Sequence, residues 1–223
     1  MKRRVLFTAI ALLAALPLLV SAQTKTSSAS TTSDERDALE VSVNAGLGLP
    51  MGAVKTWNDT LGAKSAIDLG GEVGMFLGQN YVLGLQFNYY QFGIDTQSDA
   101  KSLHHRLYSP ALYLKRYFFG GSDFVPFVRI GAGLDFPKFA TLINDAGSLK
   151  YRELSYNASF AFELGAGVFY YTSDFGGFYA EAGYHQGFTN GAKKSYQNQD
   201  YRFPGNISRF DLRAGIRVFF GSK

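Results

Sequence analysis

The chain has 223 residues, enough for one domain or at most two, and it contains no cysteine, which excludes a disulfide framework. Its formal charge of +4 suggests a polyanion partner, but Lys2, Arg3 and Arg4 precede an apolar run at 5–20 and the small-residue site Val20-Ser21-Ala22. That order makes residues 1–22 a secretory signal peptide. The run is short for a membrane anchor, which needs about 20 apolar residues. Without it, 19 basic residues face 18 acidic ones, a net charge of +1, and no nucleic-acid partner is expected.

Residues 23–37 are rich in Ser and Thr and read as a disordered linker, leaving 38–223 as the folded domain. From Leu39 onward, apolar residues recur with a period of two, the signature of strands. The first strand, 39–49, sets Leu39, Val41, Val43, Ala45, Leu47 and Leu49 against Ser42, Asn44, Gly46 and Gly48. After a polar segment at 50–66, the second strand sets Ile67, Leu69, Val73, Met75 and Leu77 against Asp68, Glu72 and Phe76. The turn Gly78-Gln79-Asn80 leads into a third strand with Tyr81, Leu83, Leu85, Phe87 and Tyr89 opposite Gly84, Gln86, Asn88 and Tyr90, a hairpin pattern.

A polar stretch near 94–106 precedes the fourth strand, 107–118. Its apolar face is Tyr108, Pro110, Leu112, Leu114 and Phe118, opposite Ser109, Tyr113, Lys115 and Tyr117, and Arg116 breaks the rule. The fifth strand, 126–136, places Arg129, Gly131, Gly133 and Asp135 opposite its apolar face. A long segment at 137–156 reads as a loop. The sixth strand, 158–170, and the seventh, 178–185, carry Glu163, Glu181 and His185 on their polar faces. After a last long loop at 189–206, the eighth strand at 207–220 sets Phe210, Leu212, Ala214, Ile216, Val218 and Phe220 against Arg209, Asp211, Arg213, Gly215 and Arg217.

Strands of this length suit a tilted bilayer crossing, which takes roughly 9–11 residues. The connections alternate long and short, as in a barrel whose turns are tight on one side of a membrane. A soluble barrel of the lipocalin kind would carry its charges outside. Here the apolar faces hold one charge, Arg116. The opposite faces hold Glu40, Asp68, Glu72, Asp135, Glu163, Glu181 and Asp211 with Lys115, Arg129, Arg209, Arg213 and Arg217. The expected fold is all-β: an eight-stranded antiparallel up-and-down transmembrane β-barrel with a polar, side-chain-filled lumen. So narrow a lumen forces its charges to pair. The expected network puts Glu72, Arg129, Glu163, Glu181, Arg213 and Arg217 in the middle layers and Lys115 toward the lower end. Aromatic girdles are expected from Tyr81, Phe118, Phe136, Tyr170, Phe178 and Phe220. A soluble β-sandwich with one wet face is the competing reading.

Eight such strands, ending in Arg213-x-Gly215-x-x-Val218-x-Phe220, resemble the small outer-membrane β-barrel proteins of the OmpA/OmpX type over about 39–220. The resemblance implies outer-membrane lipid around the barrel and a last strand read by the barrel assembly machinery. Gly221-Ser222-Lys223 follow the aromatic, a departure from a family that often ends on it.

Some barrels of this kind modify lipid A, but no Ser–His pair on the apolar face supports that chemistry. His104 and His105 near Asp99 read as a polar loop end rather than a metal or catalytic pair, and His185 lies too far from Glu181 along one strand to bond it. No cofactor or metal is expected. The sequons at Asn58, Asn157 and Asn206 read as chance. Trp57, the one tryptophan, sits in the first loop, as a possible contact for an unknown extracellular ligand or an interfacial anchor. The sequence thus predicts a plugged, non-enzymatic membrane protein, structural or adhesive through its loops, with a narrow channel as the alternative.

Overall fold

The structure, a computed structural model, describes residues 39–55, 62–94, 103–119, 122–145, 148–189, 193–197, 199–203 and 205–221. The expected signal peptide, the linker, Trp57, Asn58 and Asp99 lie outside the described residues.

Eight strands close into a barrel: β1 (Leu39–Met51), β2 (Ala63–Leu77), β3 (Tyr81–Ile94), β4 (His105–Tyr117), β5 (Phe124–Asp145), β7 (Ser159–Ser173), β8 (Gly176–Gly187) and β11 (Ile207–Phe220). Every neighbour is antiparallel. The first strand pairs with the last from Leu39↔Phe220 to Met51↔Ser208, and β4 pairs with β5 to complete the ring. Closure leaves no barrel edge with unpaired backbone groups, the condition for strands to cross a hydrocarbon layer.

The period-two pattern turns apolar side chains outward. Ile67, Leu85, Leu112 and Phe160 are each more than half exposed, whereas Glu40, Asp68, Lys115, Asp135, Arg209 and Arg217 have no exposed surface. Such a continuous apolar exterior is untenable in water and natural in lipid, so the barrel spans a membrane. The aromatics expected in the girdles all lie on this outer surface. Arg116 is accommodated there: its guanidinium lies 5.4 Å from the Tyr81 ring and 5.1 Å from Phe118, a cation held in the aromatic belt at the tight-turn end.

The structure corrects the reading of several loops. The segment 137–156 is largely a ladder, because β5 runs on to Asp145 and pairs there with β6 (Ser148–Ser155). The last loop contains a second hairpin, β9 (Lys193–Tyr196) with β10 (Gln199–Arg202). β2 begins at Ala63 behind an irregularity between Ala63 and Ala66 that interrupts the alternation, and β3 runs on to Ile94. A single 3₁₀ turn occupies Gly52–Val54.

Lumen glycines make room for rings. Gly74 and Gly84 face each other across β2 and β3, and a Cβ on Gly84 would lie 2.6 Å from Cζ of Tyr113. Phe127 lies equally close over Gly167, and Tyr179 lies over Gly215 at 2.8 Å. Each ring covers a strip of bare backbone on a neighbouring strand, so a side chain added there collides with a ring locked between strands. Gly84→Val is therefore expected to destabilise the barrel by about 1–3 kcal/mol, read as a lower urea midpoint for unfolding in detergent micelles. An unchanged midpoint would mean that both the Tyr113 ring and the backbone carbonyl of Val73, which that Cβ would also meet, give way.

Candidate functional site

The interior is layered along the barrel axis. At the tight-turn end, Phe76, Val82, Tyr113, Tyr117, Val125, Phe127, Phe169 and Tyr179 form an apolar plug. Above it the charges begin. Lys115 Nζ donates to Glu40 Oε1 at 2.5 Å and to Glu72 Oε2 at 2.8 Å, and the Tyr117 hydroxyl donates to Glu40 Oε2 at 2.5 Å. Arg217 donates to the Tyr117 hydroxyl at 2.7 Å and to Glu72 Oε2 at 3.3 Å, with its guanidinium 4.1 Å from the Tyr179 ring centre.

Arg129 is the hub of the next layer. Its Nη1 donates to Glu72 Oε1 at 2.7 Å, while its Nη2 lies 2.5 Å from Glu181 Oε1 and 2.8 Å from Glu163 Oε1. Gln86 accepts from Arg129 and donates to Glu163 Oε1 at 2.5 Å. One guanidinium thus joins carboxylates from β2, β7 and β8. Arg213 connects upward: its Nε donates to Asp68 Oδ2 at 2.6 Å and its Nη2 to Asp211 Oδ2 at 3.0 Å and to the Tyr90 hydroxyl. Arg213 also lies 3.6 Å from Glu181 and 3.7 Å from Glu163. Arg209 donates to both Asp211 oxygens at 3.2 Å and stacks 3.7 Å from the centre of the Tyr90 ring.

His185 faces two carboxylates on other strands: Nε2 is 2.9 Å from Asp135 Oδ2, and Nδ1 is 3.7 Å from Glu163 Oε2. Ser109 donates to the other Asp135 oxygen at 2.6 Å. A cavity beside this group, lined by Gln86, Ser109, Asp135, Glu163 and His185, has about 10 Å³, room for a single water.

A second apolar cluster closes the loop end. Tyr90, Phe92, Leu107, Phe139, Tyr156 and Phe203 are buried together there, with the Phe203 ring 5.0 Å from Phe139 and 5.2 Å from Tyr156. The two outer hairpins lock over it: the Asn144 N–H donates to the Tyr201 hydroxyl at 3.2 Å, Gln197 donates to Asp145 at 3.1 Å, and Arg152 bonds the Tyr196 hydroxyl.

Glu72, Lys115, Arg129, Glu163, Glu181, Arg213 and Arg217 therefore lie in one connected set. Glu40, Asp68, Asp211 and Arg209 belong to the same set, with Tyr90 and Tyr117 as its hydroxyl links. His104 and His105 do not converge: His105 is buried, stacked 4.4 Å from Phe139, and accepts the Ala140 N–H at 3.1 Å. In the last strand, Arg213 turns inward and Gly215 lies beneath Tyr179, while Phe220 is half exposed on the outer wall.

Breaking such a network is costly because the remaining partners are left charged and dry. Arg129→Ala removes the one cation shared by Glu72, Glu163 and Glu181, leaving Glu181 only the 3.6 Å contact to Arg213, and is expected to cost about 3–5 kcal/mol, and Glu163→Ala a comparable amount. Urea unfolding in micelles checks both. A loss below about 1 kcal/mol in either variant would mean that water reaches these groups.

Comparison with solved structures places this architecture. Neisserial surface protein A matches with a TM-score of 0.55 at 17% identity, over 82% of this chain and 99% of that one. The outer membrane protein OprG from Pseudomonas aeruginosa matches at 0.49 and 15% identity, over 84% of this chain and 98% of that one. No protein-family profile matches the chain, and no curated protein matches it significantly. Closed ring, apolar wall and alternating connections together give this chain the fold of the small eight-stranded outer-membrane β-barrels of the OmpA/OmpX kind.

Proposed function

We propose that this chain is an integral outer-membrane protein, exported through the segment at 1–22, whose barrel is a closed anchor and whose long-loop end binds at the cell surface. The observation that carries this reading is the filled lumen: among the described residues, a network of paired charges lies between two apolar clusters, which favours a closed interior over a water-filled one. The loop end supports the second half of the proposal. Two hairpins cross-linked through Tyr201, Gln197 and Arg152 form a built platform, and a preformed surface loses little conformational freedom on binding a partner. Outer-membrane lipid surrounds the wall. The outward aromatic Phe220 on the closing strand suits recognition by the assembly machinery.

Catalysis is the weaker reading, because His105 is stacked on Phe139 and bonded to the Ala140 N–H, and His185 faces Asp135 and Glu163 inside the lumen. A narrow channel has one observation in its favour. The side-chain amides of Asn44 and Asn88 and the Nη atoms of Arg209 are buried without a protein partner, and water accompanies such groups. These points lie within a packed interior, however, and isolated waters do not conduct.

The absence of cysteine makes a clean test possible. Lys150, on the outer hairpin, has a side chain 64% exposed, so Lys150→Cys introduces one accessible thiol. In intact cells it should react with a membrane-impermeant maleimide, and the protein should fractionate with the outer membrane and shift mobility on boiling. A soluble periplasmic protein without that shift, or a thiol that reacts only after lysis, would contradict the proposal.

A further inference from the structure

The outer wall carries a charge pattern that the barrel itself does not need. Arg106 of β4 and Lys138 of β5 are direct cross-strand partners on the outward face. Like charges placed opposite each other are unfavourable. They are held by one carboxylate oxygen, Glu153 Oε2 of β6, 3.5 Å from Arg106 Nη1 and 3.4 Å from Lys138 Nζ. Two cations share one anion, and both remain open to the outside, with side chains 33% and 38% exposed. The Nε of Arg106 has no hydrogen-bond partner.

Their height on the wall matters. Immediately below, the same two strands present Tyr108 and Phe136, themselves paired, and Tyr89 packs 5.2 Å from Tyr108. Below those lie Leu112 and Leu134, both broadly exposed. The cation pair thus stands at the level where lipid headgroups begin, above an aromatic belt and an apolar strip fit for acyl chains. On β8 and β11 the outward side chains near this level are neutral and bonded to one another: Ser208 donates to Gln186 at 2.7 Å, and Tyr184 donates to the same side chain at 2.7 Å.

We propose that Arg106 and Lys138 bind a phosphate of an outer-leaflet lipid whose chains lie along the strip through Tyr108, Leu112, Leu134 and Phe136. A guanidinium and an ammonium side by side offer a phosphate group several charge-assisted hydrogen bonds. A lipid adds apolar contact that free phosphate lacks. Glu153 orients the two cations and competes for them. The inference rests on the outer-membrane reading above and deepens it by assigning one lateral lipid site.

The test titrates the mature barrel in detergent with bis-phosphorylated lipid A, with the dephosphorylated lipid and with inorganic phosphate alone, reading bound fraction by native mass spectrometry. The phosphorylated lipid should bind about tenfold more tightly than the dephosphorylated one. Arg106→Gln with Lys138→Gln should abolish that preference, Glu153→Gln should strengthen it, and Lys150→Gln, on the projecting hairpin, should leave it unchanged. The site is refuted by equal affinity for the two lipids, by a preference that survives the double variant, or by inorganic phosphate displacing the lipid at equal concentration. A barrel that inserts into vesicles and shifts on boiling yet shows no preference sinks this inference alone. Failure to insert sinks the outer-membrane reading with it.

Discussion

Burying charge in a space too narrow for bulk water is the constraint on which this barrel depends. Among the described residues, seven carboxylates and five Lys or Arg side chains are buried in the lumen. An isolated charge there costs several kcal/mol, so each must be shared. The protein meets this with guanidinium groups that reach more than one strand: Arg129 bridges β2, β7 and β8, and Arg213 joins Asp68 of β2 to Asp211 on its own strand. The planar fork of arginine allows such bridging, whereas a lysine acts as a point charge, and Lys115 is used where two carboxylates converge on one spot.

The remaining packing follows from that core. Tyrosines and phenylalanines cover the charged layers at both ends, and such apolar cover raises the cost of any unpaired group inside. Glycines on the lumen face are the counterpart of those rings: Gly84, Gly167 and Gly215 lie beneath Tyr113, Phe127 and Tyr179, so the tube closes without collision. On the outside, the same alternation presents leucine, isoleucine and phenylalanine to lipid. Inside and outside are thus two readings of one period, and a one-residue slip in any strand would exchange them.

The period of two, the sign of each face and the alternation of connections were legible in the sequence, because a bilayer imposes a strict pattern on every strand that crosses it. The pattern fades where that pressure ends. In β5 beyond Lys138 and in β6, successive residues meet water, a neighbouring hairpin or the cap, so Phe139, Ala140 and Thr141 are all buried in a row. That is why 137–156 reads as a loop. The lumen charges could be listed from the alternation, but their partners could not. Glu40 meets Lys115 from 75 residues away, and His185 meets Asp135 rather than Glu181, because contacts across the barrel depend on the stagger of all eight strands. Tyr90 as a link between Arg213 and Asp211 carried no sequence signal beyond a position on the inner face, and His105, read as a loop end, proves to be the first residue of β4 and a buried stacking partner of Phe139.

The central claim is that paired charges between two apolar layers seal the lumen. Single-channel recording of the purified mature barrel in a planar bilayer tests it most directly. A sealed lumen predicts a flat baseline, with no sustained unitary current at physiological salt over repeated insertions of heat-modifiable protein. Long-lived, uniform conductance steps from such protein would show a continuous water path through these layers and contradict the account.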